Sequence, residues 1–151
     1  MTKTWGPCTW YLFHSLAEKI KDEHFSALRL EMLVMIKQFC SLLPCPECAN
    51  HASEYMRRLN INRVQTKHDM KMMLLSFHNE VNTRLNKPTF NETQLNEKYS
   101  RAKLRDVVKY FIQVWNGRNR NPKMMSNSLH KNLTTTKFIN WWNKYYSCFT
   151  P

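Results

Sequence analysis

The chain has 151 residues, of which 42% are hydrophobic, a composition that fits one packed domain and excludes wholesale disorder. Gly6 and Gly117 are its only glycines, which excludes a dinucleotide fingerprint or a P-loop, because both need clustered glycines. Lysine and arginine total 23 against 11 acidic residues, and the net charge of +12 indicates either an anionic partner or a solvated basic surface.

The first residues, MTKTWGPCTWYLF, lack the charged and then apolar layout of a secretory signal peptide. No apolar run approaches the about 20 residues that a membrane span needs. Without a signal, the five cysteines are more typical of catalysis or metal binding than of a secreted disulfide scaffold. We therefore expect a cytoplasmic protein with no membrane partner.

Five helical regions are predicted, because apolar residues recur at i, i+3 and i+4. In chain order they are residues 10–20, 25–39, 45–59, 70–85 and 95–114. Pro44 ends the second and Pro88 closes the fourth, since the residue before a proline avoids helical angles. No alternating strand pattern is evident, and the short connections predict an antiparallel, all-α helical bundle.

The last part of the chain differs in composition. The polar, basic stretch GRNRNPKMMSNS begins at Gly117 and predicts a linker. Aromatic residues of the segment KFINWWNKYYSCF line one side of a predicted helix: Phe138, Trp141, Trp142, Tyr145 and Phe149. We expect that side either to cap the bundle core or to form a docking or dimerising surface. The chain is thus divided into a helical bundle, 1–116, and an extension, 117–151.

The stretch SLLPCPECANH places Cys45 and Cys48 three positions apart. A zinc site would need Cys40 and His51 as further ligands, at a spacing that matches no common zinc pattern. A thioredoxin-like motif needs a βαβ setting, and no strand is predicted. A redox disulfide is favoured, because a helix that begins at Cys45 points its positive end at the cysteines and stabilises a thiolate. Cys40 by itself is better interpreted as a buried hydrophobe.

Polar and aromatic residues recur at helical spacing on two other helices. Trp10 and His14 lie four residues apart on the first, and His78 and Asn82 lie four apart on the fourth. Grouped donors and acceptors of this kind can bind a polar planar ligand. Each segment alone is equally typical of core aromatics or a solvated helix side.

Three motifs occur in order: W-G-x-x-x-W-x-x-x-H from Trp5, P-C-x-x-C-x-x-H from Pro44 and H-N-x-x-N-x-x-x-x-K-P-x-F from His78. Together they resemble the Erv/ALR family of FAD-linked sulfhydryl oxidases, and its small viral members in particular. The likeness covers the chain from Trp5 to about Tyr99, and the chain beyond Gly117 lies outside it.

The resemblance implies a four-helix bundle with a short fifth helix that holds FAD. It implies that Cys48 faces the isoalloxazine ring and that Cys45 exchanges with the substrate. The cofactor-binding residues that it implies are Gly6, Trp10, His14, His51, His78, Asn79, Asn82, Lys87 and Tyr99. Many members have a tryptophan at the position of Tyr99. Most members also have a second cysteine pair, whereas this chain has single cysteines and leaves a Cys8–Cys148 bridge as an open alternative.

The reaction implied is the oxidation of a client dithiol through Cys45 and Cys48, with electrons passing through FAD to oxygen and giving hydrogen peroxide. The expected partners are a thiol-containing client or relay protein, molecular oxygen and a second copy of the chain, with nucleic acid less favoured. The expected location is the host cytoplasm, and the virion as well if the protein is viral. The rival is a non-enzymatic zinc-binding or nucleic-acid-binding adaptor that uses Cys40, Cys45, Cys48, His51 and the basic surface.

Overall fold

The computed structural model describes residues 2–116 and 125–151, and of residues 2, 3 and 125–130 it describes the backbone alone. The helices of this part are α1 (Thr2–Lys19), α2 (Asp22–Ser41), α3 (Pro46–Arg58), α4 (Lys67–Arg84), α5 (Glu92–Ser100), α6 (Leu104–Trp115) and α7 (Met125–Tyr145). The described residues form no strand, and their one β-type contact is a bridge between Ile20 and Phe149. The predicted all-α class is confirmed.

Local sequence signals set several helix boundaries. The Thr66 hydroxyl accepts from the N–H of Asp69 while the Asp69 carboxylate accepts from the N–H of Thr66, and this capping box starts α4. Asn91 and Gln94 form the same arrangement at the start of α5. Reciprocal caps of this kind satisfy backbone donors that a helix start would otherwise leave unpaired.

The predicted fifth region, 95–114, is two helices, α5 and α6, separated at residues 101–103. In one continuous helix, Leu95 and Phe111 would point about 160° apart, because each residue turns the helix by about 100°. Both side chains are buried, at 2% and 0% exposure, so the chain must bend between them. The sequence pattern did not reveal the break, since each half has helical spacing of its own.

Helix α1 is the central element of the fold. It packs against α4, α5 and α6, while α2 packs against α3 and α7. Leu12, Phe13 and Leu16 on α1 are buried in the shared core. The contact with α6 includes a buried hydrogen bond of 3.2 Å, in which Trp115 Nε1 donates to Thr9 Oγ1. This placement holds α1 between the helices that carry the candidate site.

The C-terminal extension contributes to the same core. Phe138 of α7 is 1% exposed and packs edge-on against Phe39 and Phe111, with ring centroids 5.6 Å and 5.9 Å away. Phe149 is buried as well, although α7 ends at Tyr145, so Phe149 is not part of the helix. The expectation that the aromatic side caps the core is confirmed for these two rings.

Backbone hydrogen bonds fasten the end of the chain to the junction of α1 and α2. The N–H of Lys21 donates to the carbonyl of Cys148 at 2.9 Å, and the N–H of Thr150 donates to the carbonyl of Lys19 at 2.7 Å. Of the predicted linker, residues 117–124 lie outside the described residues. Residues 125–128, predicted as linker too, form the first turn of α7.

All five cysteines are free; Cys8 lies in the first half of α1, whereas Cys148 lies beside the C-terminal end of that helix. Phe149, next to Cys148, pairs with Ile20, which is twelve residues after Cys8. A helix rises about 1.5 Å per residue, so Cys8 and Ile20 are about 18 Å apart. A disulfide needs Cα atoms within about 7 Å, so the Cys8–Cys148 bridge does not form in this fold. In the described part of the chain, no helix has the length and apolar character of a membrane span.

Candidate redox and cofactor site

The cysteine pair lies where α2 gives way to α3. Cys45 is the N-cap of α3 and Pro46 is its first residue, a position that suits proline because the first N–H of a helix needs no partner inside it. The N–H of Cys48 donates to Cys45 Sγ at 3.3 Å, and the two sulfur atoms are 2.6 Å apart. A disulfide bond of about 2.05 Å can form from this arrangement with little movement.

Burial raises the pKa of the Cys48 thiol to about 11, helped by the hydrogen bond and charge of Cys45 and opposed by the nearby charge of Arg84. The sequence predicts that the start of α3 stabilises a thiolate, and this is not the outcome at Cys48. The physical reason is that burial outweighs the effect of the helix start, whose Cys48 N–H is directed at Cys45 Sγ. As a dithiol, the pair therefore keeps the Cys48 proton at neutral pH.

A cluster of flat rings joins α1, α4 and α5. His14 Nε2 and His78 Nδ1 are hydrogen-bonded at 2.9 Å. Trp10 stacks on His78, with centroids 4.1 Å apart and an interplanar angle of 5°, and Tyr99 stacks on His14 at 4.7 Å and 27°. We call these four side chains the ring cluster; all four are predicted cofactor-binding residues, and the structure brings them together.

Both histidines of the ring cluster are neutral at pH 7. Burial is the largest cause that lowers the pKa of His14 well below its ordinary value, and the charges of His78 and Lys98 add to it. Burial also lowers the pKa of His78 to about 4, with Lys98 and Lys87 contributing. Each neutral imidazole has one N–H and one acceptor nitrogen, so in this hydrogen bond one ring donates and the other accepts.

Asn79, another predicted cofactor-binding residue, is bonded to the backbone of the loop after α4. Its Nδ2 donates to the carbonyl of Phe90 at 2.8 Å, and its Oδ1 accepts from the N–H of Phe90 at 3.1 Å. The Phe90 ring then contacts His78 edge-on, with centroids 4.9 Å apart. Because its amide is bonded to the backbone, Asn79 positions the loop after α4 beside the ring cluster.

Three further predicted residues lie around α1 and α4. Asn82 is 9% exposed, one turn beyond His78, and its carbonyl accepts from the N–H of Lys87 at 2.8 Å. Lys87 itself is exposed. A Cβ added at Gly6 would meet no atom within 4 Å, so packing within the chain does not require glycine at this position.

The zinc arrangement is not assembled. Cys40 is 1% exposed in the core, and burial raises its pKa to about 12. His51 is on the exposed side of α3, where its Nε2 is 3.8 Å from Glu47 Oε1. Across residues 2–116 and 125–151, no three His, Cys, Asp or Glu side chains are grouped to hold a metal ion. Of the predicted cofactor-binding residues, His51 is the one whose side chain is paired with an exposed carboxylate.

Aromatic contacts connect the cysteine helix to the ring cluster. Tyr55 of α3 stacks on Phe77 of α4 at 4.3 Å and 6°, and Phe77 contacts Trp10 edge-on at 4.9 Å. Cys48 precedes Tyr55 by seven residues and therefore shares its helix face. The two halves of the site thus belong to one packed unit.

Two features of the site were missed in the sequence. Lys98 Nζ lies 5.4 Å from the Tyr99 ring centroid and 5.6 Å from that of Tyr11. Lys71 and Glu18, 14% and 17% exposed, form a 2.6 Å ion pair between α4 and α1. The ion pair had a detectable signal, since Lys71 lies seven residues before one ring-cluster histidine and Glu18 four residues after the other. Lys98 had none, because nothing in its spacing marks it.

Comparison with known proteins decides the family. The model of the Erv1/Alr family matches residues 7–101, a segment that includes the cysteine pair and the ring cluster. The chain belongs to the Erv1/Alr family. The resemblance found in the sequence is therefore confirmed, and it extends to viral members.

Proteins similar to this chain occur in viruses and in eukaryotes. It is 34% identical over 98 residues to protein 096R of invertebrate iridescent virus 3, and the match covers 64% of this chain and 66% of that protein. It is 30% identical over 115 residues to the FAD-linked sulfhydryl oxidase of African swine fever virus (isolate Warthog/Namibia/Wart80/1980), and the match covers 74% of this chain and 95% of that protein. The mitochondrial FAD-linked sulfhydryl oxidase ERV1 of Saccharomyces cerevisiae is 29% identical over 86 residues, and the match covers 57% of this chain and 45% of that protein. No solved structure matches the chain.

Proposed function

We propose that this chain is a FAD-linked sulfhydryl oxidase that oxidises client dithiols through Cys45 and Cys48. Membership of the family carries thiol oxidase chemistry with it, and FAD as the cofactor. The observation that supports the assignment of the pair most directly is the 2.6 Å separation of two sulfur atoms at the start of α3. That helix packs, through Tyr55 and Phe77, against the helix that carries His78.

The residues present fit a flavin dinucleotide. Trp10 and His78, the two partly exposed members of the ring cluster, offer flat surfaces for stacking, and the open space at Gly6 allows a ligand to approach the backbone closely. Lys87 and Lys98 are exposed cations whose charges reach His78, and they suit a pyrophosphate. When bound, FAD would accept two electrons from the dithiol and pass them to oxygen, which gives hydrogen peroxide.

The cysteines carry out disulfide exchange. A client thiolate attacks Cys45 Sγ, a client–Cys45 disulfide forms, and the Cys45–Cys48 bond breaks, with Cys48 leaving as a thiolate. A second client thiolate attacks the client sulfur, so that the client disulfide forms and Cys45 leaves as a thiolate. The client has then lost two electrons, and the pair holds them as a dithiol once both sulfurs are protonated. The raised pKa of Cys48 favours this protonation.

The assignment of Cys45 as the attacked sulfur follows from its place at the helix end. It precedes Pro46 and Glu47, both exposed, whereas Cys48 shares the helix face of Tyr55 that packs on α4. The neutral histidines of the ring cluster position the cofactor and do not transfer protons, because neither takes up a proton near pH 7. A homodimer and a cytoplasmic location belong to this proposal as well, and sedimentation analysis and imaging of the tagged protein would test them.

Absorption spectroscopy tests the proposed function. The purified protein should be yellow, and an anaerobic dithiol should bleach the flavin band. Oxygen uptake with dithiothreitol should be lost in Cys48→Ala, while Cys40→Ala, a change at a cysteine outside the pair, should keep most of it. A colourless protein with one zinc ion per chain would support the adaptor instead, and normal turnover by Cys48→Ala would show that the pair is not the redox centre.

A further inference from the structure

We propose that the end of α4 forms, beside the cysteine pair, a docking surface for acidic client proteins. The surface consists of Arg84 and Leu85, and we call it the α4 turn. The inference rests on the proposed thiol oxidase function and names its substrate class: a reduced dithiol protein with acidic and apolar side chains next to its cysteines.

Helix register places the α4 turn next to the cysteines. Tyr55 and Phe77 stack face to face where α3 meets α4. Cys48 precedes Tyr55 by seven residues and Arg84 follows Phe77 by seven, and seven residues are close to two full turns. Residues 59–66 connect α3 to α4, and a connection of this length is typical of antiparallel neighbours, in which the two steps run in the same direction in space. In agreement with this, the Arg84 charge acts on the Cys48 thiol.

The α4 turn presents an apolar side chain to solvent. Leu85 is the C-cap of α4 and is 50% exposed, although it lies on the predicted apolar stripe. Asn86 follows with a φ of 56°, a left-handed conformation that reverses the chain and ends the helix. Leu85 thus projects from a sharp turn and directly follows an exposed cation, Arg84.

The local charges favour an anionic partner. The acidic residue next to the pair, Glu47, is 83% exposed and has His51 within 3.8 Å, while Arg84 lacks an acidic partner within 4.0 Å among the described residues. The net charge of the chain, +12, adds a long-range field of the same sign. Complementary fields of this kind raise association rates and exclude partners of like charge.

A protein client fits these features better than nucleic acid. The reaction requires the partner to deliver two thiols to Cys45, and nucleic acid has none. An exposed leucine beside a cation suits an apolar side chain next to a carboxylate, whereas single strands are usually bound on aromatic platforms.

Matched peptides test the proposal. Two synthetic dithiol peptides with the same Cys-x-x-Cys core and one leucine would differ only in flanking aspartates or flanking lysines. Oxygen uptake gives kcat/KM for each, and dithiothreitol serves as an uncharged third substrate. We expect the aspartate peptide to be oxidised about tenfold more efficiently at low salt, and the ratio to shrink in about 0.5 M salt, because screening weakens exposed charges.

Charge reversal locates the effect. Arg84→Glu should lower the ratio of kcat/KM for the aspartate peptide to kcat/KM for the lysine peptide by at least about fivefold, and Arg84→Gln should lower this ratio less. Arg105→Glu makes the same change in net charge at an exposed position of α6 and should leave the ratio within about twofold, since distant charges are screened at about 0.1 M salt. Thermal melting confirms that each variant is folded.

The outcomes separate the two proposals. Loss of activity toward dithiothreitol in the unmodified protein would contradict the thiol oxidase function itself. Full activity with dithiothreitol, together with equal rates for the two peptides or an unchanged ratio in Arg84→Glu, would overturn the docking surface alone. Inhibition of the aspartate peptide by a short DNA strand, abolished by Arg84→Glu, combined with no preference between the peptides, would assign the α4 turn to nucleic acid and also overturn the proposal.

Discussion

Replacing Phe138 by alanine tests whether the C-terminal extension is part of the enzyme's core. Phe138 is 1% exposed, and its ring packs on Phe39, Phe111 and Trp141. Truncating a buried phenylalanine to alanine typically costs about 3–5 kcal/mol, because the transfer free energy is lost and a cavity remains. In a chain of this size, each kcal/mol shifts Tm by about 2–4 °C, so we expect Tm to fall by about 6–20 °C.

Urea unfolding, followed by tryptophan fluorescence and by circular dichroism, provides the assay. Because Phe138 shares its core with α2 and α6, both probes should report one transition, shifted to lower urea in Phe138→Ala. Leu133→Ala is the matched control, since Leu133 is on the same helix but is 52% exposed. It should change the free energy of unfolding by no more than about 0.5 kcal/mol.

One result would refute this reasoning. If Phe138→Ala produced two transitions, and the larger one kept the midpoint of the unmodified protein, the extension would unfold independently. The packing of Phe138 on α2 and α6 would then contribute nothing measurable to the bundle. A midpoint shift equal to that of Leu133→Ala would lead to the same conclusion.

Three further predictions concern the site. Lys71→Met should lower the free energy of unfolding by about 1–3 kcal/mol, because it leaves the largely buried Glu18 carboxylate unpaired. Adding Glu18→Gln to Lys71→Met should recover part of this loss, and similar losses in the single and the double variant would contradict the ion pair. Asn79→Ala should cost about 1–3 kcal/mol and weaken flavin retention, since two hydrogen bonds to Phe90 disappear, whereas Thr83→Ala, an exposed change one turn on, should do neither. As the pH falls from 6.5 to 5, the free energy of unfolding measured in urea should decrease, because the two ring-cluster histidines have lowered pKa values in the folded state and only the unfolded chain takes up their protons. The slope has an upper limit of about 1.4 kcal/mol per pH unit for each histidine, reduced by partial exposure. A flat profile would contradict their burial as neutral rings.

Much of the fold could be predicted from residue spacing. Apolar periodicity located the first four helices, and the prolines at 44 and 88 marked two of their ends correctly. The i, i+4 spacing of Trp10 and His14 also predicted that their side chains share a face. These features are local, because helical spacing depends only on the backbone geometry of one segment.

The sequence by itself determined which side chains share a helix face; the tertiary structure decided what each face meets. The register of α1 against α4 made the His14–His78 hydrogen bond, and the bend before α6 allowed both α5 and α6 to be buried. Tertiary packing also turned the amide of Asn79 toward the backbone of Phe90. Such pairings depend on how separate helices dock, a relation between distant segments that no spacing within one helix records.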